Sequence, residues 1–271
     1  MKLSVITVSY NREKTIEQTI QSVLRQREYC DLEYIVIDGA STDRTMEIVR
    51  KYEKDIDVLI SEPDDGICDA FNKGIKLATG DIIGFLSSDD WYENNTMKVV
   101  VEAFSNNPDA GLLFGDQYYA DVSGNIVLKM VGDPEYEKYL WQGLVKVAPV
   151  AWFIKREVFE QCGVFDLSYK TAMDFELLLR FSVHGVKSVY VPAVFGTMRY
   201  GGESDQNYIE SYREVLRAIK QYGGNTVLLK GKMFFRILRS EIRRFLERIG
   251  LDGFVNYLRK NIAHRDNLER L

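Results

Sequence analysis

Short apolar runs alternate with helix-like patterns through residues 1–90. The runs are of strand length and cover 3–8, 34–37, 58–60 and 82–86. Between them, apolar side chains recur at the three- and four-residue spacing of one helix face, most clearly at Ile16, Ile20, Val23 and Leu24. Strands that alternate with helices in this way predict a parallel sheet with helices on both faces.

The residues between strands and helices give the expected helix ends. Asn11 is predicted to cap the first helix, and Ser41 or Thr42 the second, because short polar side chains accept hydrogen bonds from the first free N–H groups. Gly80 is predicted to close the third helix.

The pattern changes after residue 110. Segments 111–119 and 126–130 flank a turn at residues 123–125, which predicts an antiparallel hairpin. Short helices are predicted at 156–161 and 172–181, a strand at 188–194, and helix from Ile209 onward. We expect one α/β domain over residues 1–225 and a helical extension over residues 226–271.

Composition is that of a soluble globular protein: 271 residues, of which 46% are hydrophobic and 28% charged. Three cysteines lie far apart without a C-x-x-C pattern, which argues against zinc and a disulfide framework and favours a reducing compartment. The first residues are too short and too polar for a signal peptide, and no run of eighteen apolar residues occurs. We therefore expect a cytoplasmic protein.

Charge is divided unevenly along the chain. Residues 226–271 hold 11 Lys and Arg and 5 Asp and Glu, whereas the other residues hold 24 and 35. Apolar positions such as Phe234, Leu238 and Phe245 alternate with arginines, which predicts an amphipathic helix with a basic face. This helix is expected either to lie on the inner face of an anionic membrane as a peripheral contact, or to pack on the catalytic body or a second subunit. Nucleic acid is not an expected partner, because the body is acidic and no binding motif occurs.

Polar groups follow three of the predicted strands. Tyr10 and Asn11 follow the first, Asp38 follows the second, and Ser88-Asp89-Asp90 follows the fourth. Ligands of open α/β sheets bind beyond the carboxyl ends of the strands. Two adjacent carboxylates repel each other, so a positive group or water is expected beside the acidic pair. Neither G-x-G-x-x-G nor G-x-x-x-x-G-K-[ST] occurs, and Mg²⁺ or Mn²⁺ held by carboxylates is the expected phosphate partner instead.

Four segments together resemble one known family. These are SVITVSYNREKTIEQTIQSVLRQ, EYIVIDGASTDRT, DDGICDAFNKGIKLATGDIIGFLSSDDWY and TAMDFELLLRF. They are similar to the inverting glycosyltransferases of family 2, of the bacterial surface-polysaccharide type, and the resemblance covers roughly residues 1–205. It implies a GT-A fold, in which a Rossmann-like, mostly parallel sheet is flanked by helices.

The resemblance also implies roles for particular residues. Ser88-Asp89-Asp90 matches the D-x-D element, so Asp90 would hold the metal and Asp89 would reach the ribose or help to hold the metal. Asp38 matches the acidic residue that contacts the base or ribose. The remaining candidates for donor contacts are Thr7, Ser9, Tyr10, Asn11, Asp65, Asp69, and, for the phosphates, Lys73 and Arg199.

The candidate general base is Asp174, with Glu176 as the alternative. A carboxylate on the same helix face as Leu178 is expected to be partly buried, which raises its pKa and makes it a better base. Helix N-capping by Asp174 is the structural alternative. The sequence departs from the family at Met173, where a glutamate is usual, and at Pro149-Val150, where many relatives have His-Gln.

Together these observations favour an inverting glycosyltransferase that uses Mn²⁺ or Mg²⁺ and a nucleotide-sugar donor. A UDP-sugar is the expected donor, with GDP and dTDP sugars left open, and the expected acceptor is a hydroxyl of a glycan or a lipid-linked glycan. Because Ser88 and Met173 both replace acidic residues, a catalytically silent nucleotide-sugar-binding or scaffolding subunit is the alternative. A nucleotidyltransferase is less favoured, since no glycine-rich activating loop begins the chain.

Overall fold

The computed structural model describes residues 1–147, 149–200, 208–227, 229–231 and 268–270. Its strands are β1 (Lys2–Ser9), β2 (Asp31–Asp38), β3 (Val58–Ser61), β4 (Ile82–Ser87), β5 (Trp91–Tyr92), β6 (Leu112–Ala120), β7 (Ile126–Met130), β8 (Trp152–Lys155), β9 (Ser188–Arg199) and β10 (Leu268–Arg270). Its α-helices are α1 (Ile16–Leu24), α2 (Thr45–Val49), α3 (Ile67–Leu77), α4 (Thr96–Asn106), α5 (Tyr136–Leu140), α6 (Arg156–Cys162), α7 (Met173–Val183) and α8 (Tyr208–Gln221).

One mixed sheet joins the strands. Among the described residues its order is β10-β7-β6-β8-β4-β1-β2-β3, and β9 lies beside β6 and pairs with β5. Strands β4, β1, β2 and β3 are parallel, as the alternating pattern predicted. Strand β8 is antiparallel to both β4 and β6, and the β6–β7 hairpin forms as expected. The carboxyl ends of β1–β4, β6 and β9 therefore lie at one edge of the sheet, which we call the carboxyl edge.

Two apolar cores cover the two faces of the sheet. Helices α1, α2 and α4 pack on Leu3 and Val5 of β1, and we call this side the α1 face. Helices α3, α5, α6, α7 and α8 pack on Ile6 and Val8, and we call this side the α7 face. Side chains of a strand point alternately to opposite faces, so β1 and β2, which are buried along nearly their whole length, are covered on both sides.

The helix ends differ from those expected. Helix α1 begins at Ile16 without a side-chain cap, and the Oδ1 atom of Asn11 instead accepts the N–H of Thr42 at 2.8 Å. Helix α2 begins at Thr45, whose N–H donates to Asp43 rather than to a serine or threonine cap. Helix α3 ends at Leu77, before the expected Gly80. The caps predicted at Asn11 and Ser41 were wrong because the side chains of these residues bond to a neighbouring loop and a neighbouring strand, respectively, instead of to their own helices.

Gly80 is required by close packing. Its N–H donates to the Ser4 Oγ atom at 2.9 Å, and a Cβ atom at position 80 would lie 2.7 Å from the Ser4 backbone nitrogen. The glycine thus lets the chain pass against β1 before it enters β4.

The end of the chain returns to the sheet. Residues 268–270 form β10, which pairs antiparallel with β7, so the expectation of helix throughout the extension was wrong there. The predicted amphipathic helix, with Phe234, Leu238 and Phe245, lies outside the described residues, and its membrane or subunit contact stays a prediction. In the part of the chain that the structure describes, no helix has the length and hydrophobicity needed to cross a bilayer.

Candidate functional site

Polar side chains meet at the carboxyl edge where β4, β1, β2 and β3 end. Asp38, the last residue of β2, is in register with Ser9 of β1 on one side and Ser61 of β3 on the other. The Ser88 N–H, just after β4, donates to the Val8 carbonyl at 3.2 Å. Neighbouring strands lie about 4.8 Å apart, so the ends of four strands form one continuous row of polar groups.

Asp38 is held rigidly in this row. It is fully buried, and its Oδ2 atom accepts the Ser41 N–H at 2.9 Å and the Ser61 hydroxyl at 2.7 Å. The Ser41 hydroxyl donates to the other carboxylate oxygen. A buried carboxylate that accepts several short hydrogen bonds keeps a fixed direction, which is what a residue that recognises a ligand requires.

Two left-handed residues shape the loops beside Asp38. Asn11 has φ 52° and Ala40 has φ 61°, a region that residues other than glycine seldom adopt. The Asn11 N–H donates to the Ser41 Oγ atom at 2.8 Å, so the loops after β1 and β2 are bonded to each other. Such strain persists where the surrounding structure fixes the backbone, and it is frequent at binding sites.

The other candidates from the first loop differ in access. The Thr7 side chain is fully buried, and its hydroxyl accepts the Tyr34 hydroxyl at 3.2 Å, so it supports the sheet rather than facing a ligand. Ser9 is buried, and among the described residues its hydroxyl has no hydrogen-bond partner. Tyr10 is 58% exposed. Tyr10 is therefore accessible to a ligand, whereas the Ser9 hydroxyl is buried without a protein partner in the described part of the chain.

Arginines accompany the acidic pair, as its charge predicted. The Arg12 Nε atom lies 3.7 Å from the Asp89 Oδ2 atom. The backbone N–H of Arg199 donates to the Asp90 Oδ1 atom at 3.0 Å, and the Arg199 Nε donates to the Asp89 carbonyl at 3.2 Å. On the α1 face, the Thr19 hydroxyl donates to the Asp90 carbonyl at 2.7 Å.

Asp90 is a buried carboxylate whose charge is balanced only in part by its neighbours. Burial raises its pKa well above the ordinary value, the Asp89 charge raises it further, and the Arg199 N–H opposes both effects in part. Within the described residues, the hydrogen bond to its carboxylate comes from the Arg199 N–H and reaches the Oδ1 atom. A carboxylate that is buried, adjacent to another and incompletely paired fits a divalent ion, which would relieve the charge repulsion.

No three Asp, Glu, His or Cys side chains group together as a metal site in the part of the chain that the structure describes. Mg²⁺ is usually bound in proteins by one or two carboxylates, with a ligand's phosphates and water completing the coordination.

Arg199 is bonded to several segments of the protein. Besides its contacts with Asp89 and Asp90, its guanidinium donates to the Gln18 Oε1 atom at 2.8 Å and to the Val122 carbonyl at 3.1 Å. It also lies 5.1 Å from the centre of the Trp91 ring. The expected phosphate contact stays a prediction, and the structure gives Arg199 a role in holding the acidic pair. The neighbouring Gly201 and Gly202 lie outside the described residues.

Asp174 is the second residue of α7 and lies on the α7 face. Its Oδ1 atom accepts the Phe175 N–H at 2.8 Å, and it lies inside the first turn rather than at the N-cap, which is Ala172. Burial raises its pKa, and backbone N–H groups lower it in part, as expected for a partly buried base. The beginning of α7 contacts the beginning of α3, since the Met173 Sδ atom lies 3.0 Å from the Cys68 Sγ atom. Asp174 therefore lies at the carboxyl edge.

Glu176 faces away from this edge. Its oxygens lie 2.6 and 3.0 Å from the Arg180 guanidinium nitrogens, and the Tyr222 hydroxyl donates to it at 2.7 Å. Its side chain is 1% exposed. A carboxylate that is so fully paired suits a structural ion pair, and we assign it no part in the chemistry.

Lys73 and Asp69 are paired with each other at the exposed side of α3. The Lys73 Nζ atom lies 2.9 Å from Glu62 and 3.4 Å from Asp69, and it donates to the Pro63 carbonyl. The Asp69 Oδ2 atom accepts the Asp65 N–H at 3.2 Å. The lysine thus neutralises local carboxylates, and the phosphate contact expected for it lacks support.

Several residues of the site were not among the sequence candidates. Ser41 and Ser61 orient Asp38. Arg12 pairs with Asp89 of the acidic pair, and Gln18 bonds to Arg199. Asp64 packs on Gly39, where a Cβ atom would lie 2.5 Å from the Asp64 Oδ2 atom. Ser61 could have been found from the strand-end rule, and Asp64 from its place beside Asp65. The arginine contacts carry no local sequence signal.

Comparison with known proteins gives matches to glycosyltransferases. The sequence pattern described as Glycosyl transferase family 2 matches residues 4–163. Glycosyltransferase Rv1514c of Mycobacterium tuberculosis is 31% identical over 237 residues, which are 80% of this chain and 88% of that protein. A PGL/p-HBAD biosynthesis glycosyltransferase of Mycobacterium bovis is 26% identical over 209 residues, covering 74% and 78%.

Solved structures show the same fold. S. aureus TarS 1-349 in complex with UDP-GlcNAc superposes with a TM-score of 0.62 and 18% identity, over 98% of this chain and 77% of that one. The mannosyltransferase PcManGT of Pyrobaculum calidifontis, in complex with GDP-Man and Mn²⁺, gives 0.61 and 21%, over 81% and 63%. The expected GT-A fold is thereby confirmed.

Proposed function

Because the chain belongs to glycosyl transferase family 2 and is a glycosyltransferase, we propose that it uses a nucleotide-sugar donor and inverts the anomeric carbon by metal-assisted displacement. The observation that carries this proposal is that two carboxylates with raised pKa values belong to opposite faces of the sheet. The backbone carbonyl of Asp90 is bonded to α1 on one face, and Asp174 lies in the first turn of α7 on the other. In-line displacement needs the leaving group and the base on opposite sides of the reacting carbon.

The row of strand ends would hold the nucleoside. Asp38, fixed by Ser41 and Ser61, would accept a hydrogen bond from the base or ribose, and the unpartnered Ser9 hydroxyl would meet a polar atom of the same ligand. We propose a UDP-sugar as donor. Support comes from TarS, which was solved with UDP-GlcNAc and covers more of this chain than does the GDP-Man-bound mannosyltransferase.

Asp90, with Asp89 beside it, would hold a divalent cation against the diphosphate. Mn²⁺ or Mg²⁺ at this position would supply positive charge to the leaving diphosphate. The protein's own part is to fix the Asp90 carboxylate through the Arg199 N–H and to limit the repulsion at Asp89 through Arg12.

Asp174 would be the general base. The acceptor hydroxyl oxygen forms a bond to the anomeric carbon while the bond from that carbon to the diphosphate oxygen breaks. The hydroxyl proton passes to the Asp174 carboxylate, and the nucleoside diphosphate leaves with the bonding electrons. We propose that the hydroxyl belongs to a glycan or a lipid-linked glycan, in line with the family resemblance.

The test is nucleoside diphosphate release from a panel of UDP-, GDP- and dTDP-sugars with Mn²⁺, first ranked by thermal shift and then assayed with a panel of glycan acceptors. Transfer is expected from a UDP-sugar, and the anomeric coupling constant of the product should show a configuration opposite to that of the donor. A product with retained configuration would overturn the mechanism. Donor binding without turnover for every acceptor would instead favour the silent subunit.

A further inference from the structure

The segment that leads into Asp174 is held by a carboxylate from a distant part of the chain. Glu214 of α8 is buried, and its Oε1 atom accepts the Lys170 N–H at 2.9 Å. Its Oε2 atom accepts the N–H groups of Thr171 at 2.9 Å and Ala172 at 2.8 Å, and also the Thr171 hydroxyl at 3.0 Å. One side chain thus binds the three N–H groups that immediately precede α7.

Glu214 is ionised in this position. Burial raises its pKa, but the three backbone N–H donors and the Thr171 hydroxyl outweigh burial and leave the pKa below the ordinary glutamate value. Hydrogen bonds to an ionised acceptor are roughly twice as strong as those between neutral groups. The segment is therefore fastened by charge-assisted bonds.

Two more side chains of α8 hold the same segment. Arg217 donates to the Ser168 carbonyl at 2.6 Å, and its guanidinium lies 4.0 Å from the centre of the Tyr169 ring. The Tyr169 hydroxyl donates to the Gln221 Oε1 atom at 3.1 Å. Positions 214, 217 and 221 share one side of a helix, so α8 presents a polar face to residues 168–172.

Asp174 has no comparable restraint of its own. Among the described residues, the hydrogen bonds of its carboxylate go to backbone N–H groups at the beginning of α7. The direction of the carboxylate therefore follows the backbone at the helix start. Ala172, the N-cap residue, has no side chain that could fix that start.

From these contacts we infer that Glu214 is a positioning residue for the reaction: it fixes the start of α7, and through it the direction of the Asp174 carboxylate toward the acceptor hydroxyl. The inference rests on the proposed role of Asp174 as base. Glu214 thereby supports the proposed base from a helix that begins more than thirty residues after Asp174 in the sequence.

The test compares Glu214→Gln with Glu210→Gln on the same helix. Glutamine keeps one accepting oxygen but turns an NH₂ group toward N–H donors, so the segment must shift. A misplacement of about 1 Å can cost about 10²-fold in rate, and we expect kcat to fall by about that factor while the donor KM and the affinity for UDP with Mn²⁺ stay unchanged. Glu210 pairs with Arg213 at the surface, and its variant should match the wild type.

The outcomes separate this inference from the proposed function. Folded Glu214→Gln with the kcat of the wild type overturns the inference if Asp174→Asn is inactive, and leaves the proposed base intact. Full activity of Asp174→Asn overturns both. A fall in donor affinity equal to the fall in kcat would indicate a general structural role and would also overturn it.

Thr171→Val carries the test if Glu214→Gln does not fold. It removes one hydroxyl bond to Glu214, so a smaller fall in kcat with an unchanged donor KM is expected, and an unchanged kcat contradicts the inference. Where both variants fold, their effects should be non-additive, because they remove parts of one contact.

Discussion

Replacing Asp174 by asparagine tests the proposed base with little change of structure. The asparagine side chain keeps an oxygen that can accept the Phe175 N–H, which lies 2.8 Å from the Asp174 Oδ1 atom in the wild type, so α7 should begin as before. The substitution removes the only property that the chemistry needs at this position, which is the capacity to accept a proton.

The expected loss follows from the task of a base. Positioned proton acceptors contribute about 10²–10⁴-fold in rate, which corresponds to about 2.7–5.4 kcal/mol of transition-state stabilisation. Stability should move the other way. Burial raises the folded-state pKa of Asp174, so its ionised form is disfavoured in the folded protein at neutral pH. A neutral side chain removes this penalty, and the melting temperature should be equal to or higher than that of the wild type.

The assay is nucleoside diphosphate release at saturating donor, acceptor and Mn²⁺, across pH. In the wild type, kcat should rise with pH as Asp174 ionises, with a midpoint above the ordinary aspartate pKa of about 3.9, and this limb should be absent in Asp174→Asn. The matched control is Asp109→Asn, since Asp109 is exposed and pairs with Lys187 at the opposite edge of the sheet. An Asp174→Asn protein that retains more than about a tenth of the wild-type kcat would refute the assignment.

Three further outcomes are expected. Asp90→Asn should abolish the Mn²⁺-dependent rise in melting temperature with UDP, and an unchanged Mn²⁺ response would contradict the assigned ligand. The same variant should be more stable than the wild type without metal, because a buried charge is removed. Gly84→Ala should lower the free energy of unfolding, measured in urea, by about 1–3 kcal/mol, because the new Cβ atom would lie 2.6 Å from the Phe153 ring; an unchanged denaturation midpoint would show that the ring moves aside. The pKa of Glu214 is lowered in the folded state, so the stabilisation that Glu214 provides is present at neutral pH and is lost as pH falls below the ordinary glutamate value of about 4.3. The urea midpoints of the wild type and Glu214→Gln should therefore converge in acid, and a constant difference between them would contradict this reasoning.

The parallel half of the fold could be predicted because its signals are local. Each buried strand contains a short apolar run, and polar or turn residues mark its end, so Asp38, Asp89 and Asp90 are expected at the carboxyl edge of a parallel sheet. Strand β5 was not predicted, and the strand at residues 151–153, which overlaps β8, was expected only from the family resemblance. Their positions depend on pairing with strands far along the chain, and a segment of two to four residues has no clear periodicity of its own.

The side chains that hold the site could not be predicted for the same reason. Gln18 bonds to Arg199 across 181 positions, and Glu214 bonds to Lys170 across 44. Local pattern identifies which groups carry chemistry, but it contains no information on which distant group will pair with them. Lys73 is a similar case, since its motif gave no sign that Glu62 and Asp69 pair with it, and its phosphate contact stays a prediction.

The residues proposed to form the site fall into two consecutive stretches of the chain, one that ends just after β4 and one that follows β8. The strand ends proposed to hold the nucleoside and the acidic pair are complete by Asp90, whereas the proposed base and its supporting helix come after β8. A chimera with a different chain downstream of β5 would therefore keep these strand ends and the acidic pair while it replaces the proposed base. Such a chimera has to preserve the packing of Gly84 against Phe153 and the bonds from Arg199 to the acidic pair. These contacts join the two stretches of chain, so only a replacement that keeps them is expected to fold with the site intact.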